Sequence, residues 1–299
     1  MMDGILVIRK EKGFTSHDVV AKLRGILHMK KIGHTGTLDP EAEGVLPIAL
    51  GKATRLVELL TDREKSYEAV MRLGVTTDTQ DMTGTVQKEL PVDVSEEKVR
   101  EVLQSFLGAQ QQIPPMYSAL KVGGEKLCDL ARKGKVVERQ PRPVFFHEIC
   151  VSEIHLPFVR FSVTCSKGTY IRTLCHDAGE KLGCGGCMES LVRTRAGRFT
   201  LDMAHTLSEV EAAVKNGLID SWIFSIEEVL GEYPALSCKS TADRLLKNGN
   251  PLSPEQVCAQ SREGWVRMYD STGDFVGVFQ WKEEKKRYDP VKMFAAGQK

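Results

Sequence analysis

Apolar residues recur along the chain with a two-residue period in several segments, and this period predicts β-strands. Residues 5–8 and 45–50 are continuous apolar runs, which is typical of strands buried on both faces. Residues 67–73, 144–154 and 158–165 alternate between apolar and polar positions. These segments predict a sheet that buries at least one face.

Between these strands lie segments in which apolar residues recur with the spacing of a helix. Helices are predicted over residues 16–27, 53–60, 95–107, 169–182 and 207–214. Thr15 or Ser16 and Ser95 are residue types that cap helix N-termini. Helices that are interleaved with strands in this way predict an α+β fold.

The pattern changes beyond about Tyr233. A short helix over residues 241–246 is followed by a turn at Asn248 and by alternating strands at 265–270 and 275–281. We therefore predict two domains, residues 1–232 and a small β-rich domain of residues 233–299. The charge run at the end of this segment, Glu283 to Arg287, is expected to be a solvated face.

Composition and charge exclude several classes of protein. The chain has 299 residues, of which 41% are hydrophobic, and its 41 Lys and Arg against 40 Asp and Glu give a net charge of +1. These values are typical of a globular protein and exclude a strongly basic protein that coats nucleic acid. A local basic groove remains possible, since residues 121–142 contain seven Lys and Arg.

Cysteine usage and the apolar runs indicate the compartment. The chain begins without a signal-peptide pattern and has no run of the length of a membrane span, so we expect a cytoplasmic protein with reduced thiols. Of the eight cysteines, Cys184 and Cys187 alone have the spacing of metal ligands, with His176 as the nearest further candidate. Structural zinc needs four ligands, so a glycine turn flanked by buried thiols is the favoured interpretation over a zinc site.

Two segments concentrate residues that could carry chemistry. In residues 33–44, three glycines, His34 and an Asp39-Pro40 pair occupy one connection, although Asp39 could simply cap a turn. This loop matches neither the P-loop nor the dinucleotide-binding pattern. In residues 166–174, Arg172 lies among apolar neighbours and therefore needs a carboxylate partner, which taken alone favours a structural ion pair.

These segments, in this order and spacing, resemble the signatures of the TruB-type tRNA pseudouridine synthases. The resemblance covers essentially the whole chain and rests on the residues Gly33–Pro40, Lys65–Tyr67, Ile113–Ala119, Ser166–Leu174, Leu191 and Arg193. The segment from Tyr233 onward resembles a PUA-like RNA-binding module through Leu245–Leu252 and Gly273–Gly277.

The resemblance implies a mixed, mainly antiparallel sheet with flanking helices and an enzyme that converts the uridine at position 55 in the T-loop of tRNA to pseudouridine. No cofactor or metal is required. Asp39 is then the essential carboxylate, either as a nucleophile or as a base for the 2′ proton of the sugar, and Arg172 is its ion-pair partner. Tyr67, whose position alone favours a core aromatic, becomes the residue that stacks on the target base and a candidate to take a proton late in the reaction.

The resemblance also supplies candidate substrate contacts: His34, Lys167, Tyr170, Leu191 and Arg193. The expected partner is the T-arm of tRNA, bound by a monomer without an obligatory protein partner or membrane. A second hypothesis is an RNA-binding module that assists tRNA folding. The variant Asp39→Asn distinguishes the two hypotheses, because it removes only the chemistry.

Overall fold

The computed structural model describes residues 2–262 and 264–294. Its strands are β1 (Gly4–Lys10), β2 (Ile32–His34), β3 (Glu43–Leu50), β4 (Lys65–Leu73), β5 (Val75–Thr77), β6 (Val86–Glu89), β7 (Gly108–Gln112), β8 (Lys121–Val122), β9 (Glu125–Lys126), β10 (Arg142–His155), β11 (Phe158–Cys165), β12 (Gly186–Ala196), β13 (Phe199–Thr200), β14 (Ile223–Ser225), β15 (Ala235–Ser237), β16 (Trp265–Tyr269), β17 (Phe275–Lys282) and β18 (Arg287–Met293). Its α-helices are α1 (Ser16–Ile26), α2 (Val57–Thr61), α3 (Glu96–Gln104), α4 (Leu127–Arg132), α5 (Ile171–Leu182), α6 (Leu207–Lys215), α7 (Ile226–Val229) and α8 (Asp243–Lys247).

A ten-stranded mixed sheet forms the body of the molecule. Its main strand order is β14-β1-β3-β12-β4-β11-β10-β7, with β2 added to β3 and β13 added to β12. The neighbouring strands pair antiparallel, except that β3 and β12 run parallel at Glu43 and Gly44. The predicted mixed, mainly antiparallel sheet of an α+β fold is therefore confirmed.

Helices α1, α3, α5 and α6 cover one face of this sheet. Their apolar stripes include the fully buried side chains of Leu23, Leu174 and Val210, which pack with sheet residues such as Met71 into the largest hydrophobic core. Burial of a side chain of this size contributes roughly 1.5–3 kcal/mol. Thr15 and Ser95 cap α1 and α3 as the sequence predicts.

The continuous apolar runs of β1 and β3 are buried on both faces. On the second face, Ile5 and Val45 pack with Leu230 and with Val278 of the C-terminal sheet. That sheet has the order β15-β16-β17-β18 and a further core of its own. Because the large sheet ends at β14 and the small sheet begins at β15, we retain the division at residue 232 as a proposal, with residues 295–299 outside the described range.

Several segments differ from the predictions, among them the strand at the centre of the large sheet and residues 53–60. Strand β12, at the centre of the large sheet, was not predicted, because irregularities between Met188 and Ser190 and between Arg193 and Arg195 break its two-residue period. Residues 53–60 form a 3-10 helix (Gly51–Leu56) that continues into the short α2. Within the described residues, no helix is long and apolar enough to cross a membrane.

Candidate active site

Two buried side chains clamp the loop that carries Asp39. The hydroxyl of Ser16 accepts from the Leu38 amide at 2.9 Å and donates to the Leu38 carbonyl at 3.3 Å. The Lys10 ammonium donates to the Pro40 carbonyl at 2.9 Å. The residues before and after Asp39 are therefore both held in place, which fixes the direction of its carboxylate.

The Asp39 loop ends where β3 begins and pairs in parallel with β12. Gly44 lies opposite Arg193 there, with a φ of +106° that favours glycine. A Cβ at this position would lie 2.2 Å from the Arg193 carbonyl oxygen. The glycine thus allows the loop to enter the sheet directly against β12.

Asp39 and Arg172 form the ion pair that the resemblance implies. The two side chains approach to 3.1 Å between Oδ2 and Nη2. Arg172 is 5% exposed and Asp39 is 41% exposed, so the guanidinium lies inside the protein and the carboxylate faces an opening. The Arg172 guanidinium also donates to the backbone carbonyls of Thr79 at 3.1 Å and Tyr117 at 2.9 Å.

A second carboxylate, which the sequence analysis did not single out, completes this cluster. Asp81 Oδ2 lies 3.5 Å from Arg172 Nη1, and the Asp81 side chain is 11% exposed. Asp81 also accepts from the hydroxyl groups of Thr79 at 2.7 Å and Thr83 at 2.5 Å. Arg172 therefore bridges a buried, fixed carboxylate and an accessible one.

Burial raises the pKa of Asp39, and the nearby charge of Asp81 raises it further. The Arg172 guanidinium and the Lys10 ammonium oppose this shift in pKa. An opposite charge within a few ångströms favours the ionised form of a carboxyl group. Arg172 thus opposes the rise in the Asp39 pKa and favours its carboxylate form.

Tyr67 lies on the inward face of β4, 8% exposed, as the alternation predicts. Burial raises its pKa to about 12, although the nearby Arg193 guanidinium acts in the opposite direction. The negative charge of Asp39 makes a smaller contribution to the raised pKa. The phenol is consequently neutral at physiological pH.

Arg193 is 1% exposed. It faces Tyr67 across the β4–β12 pairing. Its guanidinium donates to the carbonyls of Val45 at 2.7 Å, Gly36 at 3.2 Å and Thr37 at 3.4 Å. Arg193 therefore connects the Asp39 loop to the strand that carries Tyr67.

His34 and Tyr170 flank the cluster. His34 lies at the end of β2, with its ring 5.2 Å from that of His17, and its Nδ1 accepts from the Gly36 amide at 3.4 Å. Burial and the His17 charge lower the pKa of His34, so it is a neutral imidazole. The backbone of Tyr170 is clamped by the Gln112 side chain through bonds of 2.8 and 2.9 Å, and burial raises the pKa of its phenol.

Leu191 and Lys167 lie at different depths. Leu191 is buried on β12 opposite Ala69. Lys167 is exposed and forms an ion pair with Asp62. Among the residues that the structure describes, Lys167 forms no ion pair with Asp39. The structure thus brings together Asp39, Arg172 and Tyr67 with His34, Tyr170 and Arg193, and leaves Lys167 at the rim.

A small lobe, residues 113–141, covers this cluster from one side. It has a separate core formed by Met116, Leu127 and Leu130, and it contacts the cluster through the Tyr117 carbonyl. Most of the basic side chains of this lobe are exposed. The lobe therefore presents positive charge beside the opening at Asp39.

The zinc alternative has no ligand set in the described residues. Cys184 and Cys187 are both buried free thiols beside the turn at Gly185, as the favoured interpretation of this segment expects. Across residues 2–262 and 264–294, no group of three or more His, Cys, Asp and Glu side chains could hold a metal ion.

Comparisons with known proteins agree with the fold. Residues 24–171 match the model of the TruB family pseudouridylate synthase N-terminal domain, and residues 172–230 match that of the tRNA pseudouridylate synthase B C-terminal domain. The chain is 49% identical to tRNA pseudouridine synthase B of Lachnoclostridium phytofermentans over 98% of this chain and 100% of that protein. It is 42% identical to tRNA pseudouridine synthase B of Bacillus subtilis over 93% of each chain.

Solved structures give the same result. A chain in the crystal structure of a Cbf5-Nop10-Gar1 complex is 29% identical with a TM-score of 0.75, covering 98% of this chain and 85% of that one. A chain in an H/ACA RNP bound to a substrate RNA containing 2′-deoxyuridine is 27% identical with a TM-score of 0.74, with the same coverage. The fold and these likenesses define a pseudouridylate synthase. The chain belongs to the TruB family, which confirms the resemblance and the enzyme class predicted from the sequence.

Proposed function

We propose that this chain isomerises uridine to pseudouridine in the T-loop of tRNA, at position 55, with Asp39 as the catalytic residue. The observation that carries the proposal is the accessible Asp39 carboxylate held 3.1 Å from the buried Arg172 guanidinium. The names of the curated relatives support tRNA as the substrate. A loop of folded RNA is also where proteins can reach and read individual bases.

The reaction breaks the C1′–N1 bond, turns the detached uracil and joins its C5 to C1′, after which the C5 proton leaves and a proton adds to N1. The Asp39 carboxylate begins this sequence either by attack on the substrate or by removal of the 2′ proton of the sugar. Both routes require the ionised form of Asp39. Arg172 supports that form, because its charge opposes the rise in the Asp39 pKa caused by burial.

Tyr67 offers a flat apolar face on which the detached uracil can be held while it turns. Stacking needs no charge, and the pKa of about 12 keeps the Tyr67 phenol protonated. A neutral phenol can accept the C5 proton only as it passes its own proton on. We therefore assign stacking as the main role of Tyr67.

The target base must leave the RNA stack to reach Asp39, at a cost of a few kcal/mol. His34, which is neutral and lies in the same loop, is placed to fill space beside the flipped nucleotide. The basic side chains of the lobe formed by residues 113–141 are available for contacts with phosphate groups. Lys167 at the rim keeps its predicted role as a substrate contact, and Leu191 and Tyr170 keep theirs beside the base.

The variant Asp39→Asn tests the proposal. We expect it to reduce pseudouridine formation in a T-arm stem-loop by at least about a thousandfold, because the amide can neither attack nor remove a proton. Mapping of pseudouridine in the RNA after incubation with the purified protein measures the product. Binding of the stem-loop should stay within a few-fold of the wild type.

The variant Asp93→Asn is the matched control, since Asp93 is an exposed carboxylate that, in the described part of the chain, forms no ion pair with the residues of the cluster. It should retain most of the activity. Wild-type protein that forms no pseudouridine in the stem-loop, or an active Asp39→Asn protein, would contradict the proposal. The cytoplasmic location and the monomeric state remain part of the proposal.

A further inference from the structure

A buried arginine without an acidic partner lies beneath the active-site loop. The Arg193 guanidinium is satisfied by the carbonyl oxygens of Val45, Gly36 and Thr37. In the part of the chain that the structure describes, no Asp or Glu oxygen lies within 4.0 Å of it, whereas Arg172 has two such partners. Arg193 is therefore a full positive charge that the protein leaves uncompensated.

Such a charge is costly to bury, so its retention calls for a reason. Burial of a charged group is unfavourable unless an opposite charge accompanies it. A neutral side chain of similar volume could fill the space between β12 and the loop without that cost. The carbonyl bonds of Arg193 hold the loop, but they do not by themselves require a net charge.

Neighbouring groups show the effect of this charge. Arg193 contributes to the lowered pKa of Lys10 and of Lys65, both about 8, after the larger effect of burial. It also contributes to the lowered pKa of His34 and opposes the raised pKa of Tyr67. These groups lie around the Asp39 loop, where Arg193, Lys10 and Lys65 place positive charge and where Asp39, Glu41 and Glu43 act on Lys10 in the opposite direction.

We propose that Arg193 stabilises the negative charge on the detached uracil during the reaction. This inference rests on the proposed function. When the C1′–N1 bond breaks, its electron pair goes to N1 and spreads over the uracil oxygens. The pair that forms the new C1′–C5 bond comes from the same ring and consumes this negative charge. The C5 proton then leaves, and a proton adds to N1 to give neutral pseudouridine.

The geometry places Arg193 beside the stacking residue on the neighbouring strand. Arg193 faces Tyr67 across the two strands, and its 1% exposure prevents direct contact with the base. It is therefore a positioning residue that acts through its electric field and through the loop. For two charges at a separation of about 7 Å and an effective dielectric constant of about 20, the interaction corresponds to roughly a fiftyfold effect on the rate.

The test compares leaving groups of different stability in the full-length protein. T-arm stem-loops with uridine or 5-fluorouridine at the target position are reacted under single-turnover conditions, and loss of the original nucleoside is followed. The variant is Arg193→Gln, which keeps an amide that can bind a carbonyl but removes the charge. Arg160→Gln is the control, because Arg160 is exposed on β11 and pairs with Glu153 away from the site.

We expect Arg193→Gln to slow the uridine reaction by about 10- to 100-fold with RNA binding unchanged within about twofold. The loss with 5-fluorouridine should be at least threefold smaller, because fluorine withdraws electrons and stabilises the uracil anion. An equal loss with both substrates would show a purely structural role and overturn the inference. An unchanged rate with uridine would overturn it as well, while an inactive wild type would instead refute the proposed function.

The variant Arg193→Lys keeps the inference testable if Arg193→Gln folds poorly. The titratable groups that face this position are Tyr67 and Lys65 of β4, Lys10 of β1 and His34 of β2. An ammonium introduced here should resemble Lys10 and Lys65, which titrate near pH 8. We expect its rate relative to the wild type to fall at least fivefold from pH 6.5 to pH 9.5, and a constant ratio would contradict the inference.

Discussion

At the scale of single residues, one guanidinium holds two carboxylates that differ in exposure. Asp81 is buried and bound by neighbouring hydroxyl groups, whereas Asp39 is 41% exposed. The buried carboxylate fixes Arg172, and the fixed Arg172 orients and helps to ionise Asp39. Substrate can reach only the accessible member of this cluster.

Removal of Arg172 should therefore affect stability and activity together. The variant Arg172→Met leaves the Asp81 carboxylate buried without its cation, and we expect a loss of about 3 kcal/mol in the free energy of unfolding. Pseudouridine formation should fall at least about a hundredfold, because the pKa of Asp39 rises further without the guanidinium. Urea unfolding and product mapping measure the two effects.

The double variant Arg172→Met with Asp81→Asn separates these effects. It removes the stranded charge, so about half of the lost stability should return while activity remains low. If the double variant were no more stable than Arg172→Met, the buried Asp81 charge could not be the cause of the loss.

The sequence reveals the members of this cluster unevenly. Asp39 and Arg172 stand out because unusual loop chemistry surrounds the first and apolar residues surround the second. Asp81 was missed, since its segment is rich in Thr, Asp and Gly, and an aspartate in such a loop is usually a turn residue. Its position beside Arg172 depends on a contact between segments 91 residues apart, which no local pattern encodes.

At the scale of elements, the site depends on the parallel contact between β3 and β12. This contact places the start of β3, and therefore the end of the Asp39 loop, directly against Arg193. The two-residue period could not predict β12, because its irregularities shift side chains from one face to the other. Those same irregularities fall on either side of the residues that face Tyr67 and Ala69.

The variant Gly44→Ala tests this contact. The positive φ of Gly44 and the 2.2 Å approach of a Cβ to the Arg193 carbonyl require the backbone to shift. We expect a loss of at least about 2 kcal/mol in the free energy of unfolding and a lower rate of pseudouridine formation. Urea unfolding and single-turnover kinetics provide the measurements.

The matched control is Gly25→Ala in α1, where a Cβ meets no atom within 4 Å. Alanine is more favourable than glycine in a helix interior, so this variant should be more stable than the wild type by about 0.5–1 kcal/mol. Equal effects of the two substitutions would show that the β3–β12 contact tolerates a side chain.

At the scale of the whole molecule, a net charge of +1 coexists with a positive interior near the site. Lys10 and Arg193 are each 1% exposed, and Lys65 is 6% exposed. The overall charge alone therefore conceals the most relevant electrostatic feature of the molecule. Composition could exclude a strongly basic protein, but only the fold shows that three cations are buried beneath one loop.

These buried cations predict a dependence of stability on pH. Burial lowers the pKa of Lys10 from 10.5 to about 8, so the folded protein loses this proton at a lower pH than the unfolded chain does. Between these values the unfolded chain binds more protons, and stability from this group therefore increases with pH. The gain from pH 7 to pH 9.5 should be about 2 kcal/mol.

Comparison with Lys10→Met isolates this contribution, because Lys65 and all other groups titrate in both proteins and cancel. The free energy of unfolding in urea is measured for both proteins at pH 7 and pH 9.5. The wild type should gain about 2 kcal/mol relative to the variant over this range. Lys12→Met, at an exposed position two residues away, should show no such change with pH. A constant difference between wild type and Lys10→Met would mean that Lys10 keeps an ordinary pKa despite its burial, and the positive potential beneath the loop would then be much weaker than the geometry indicates.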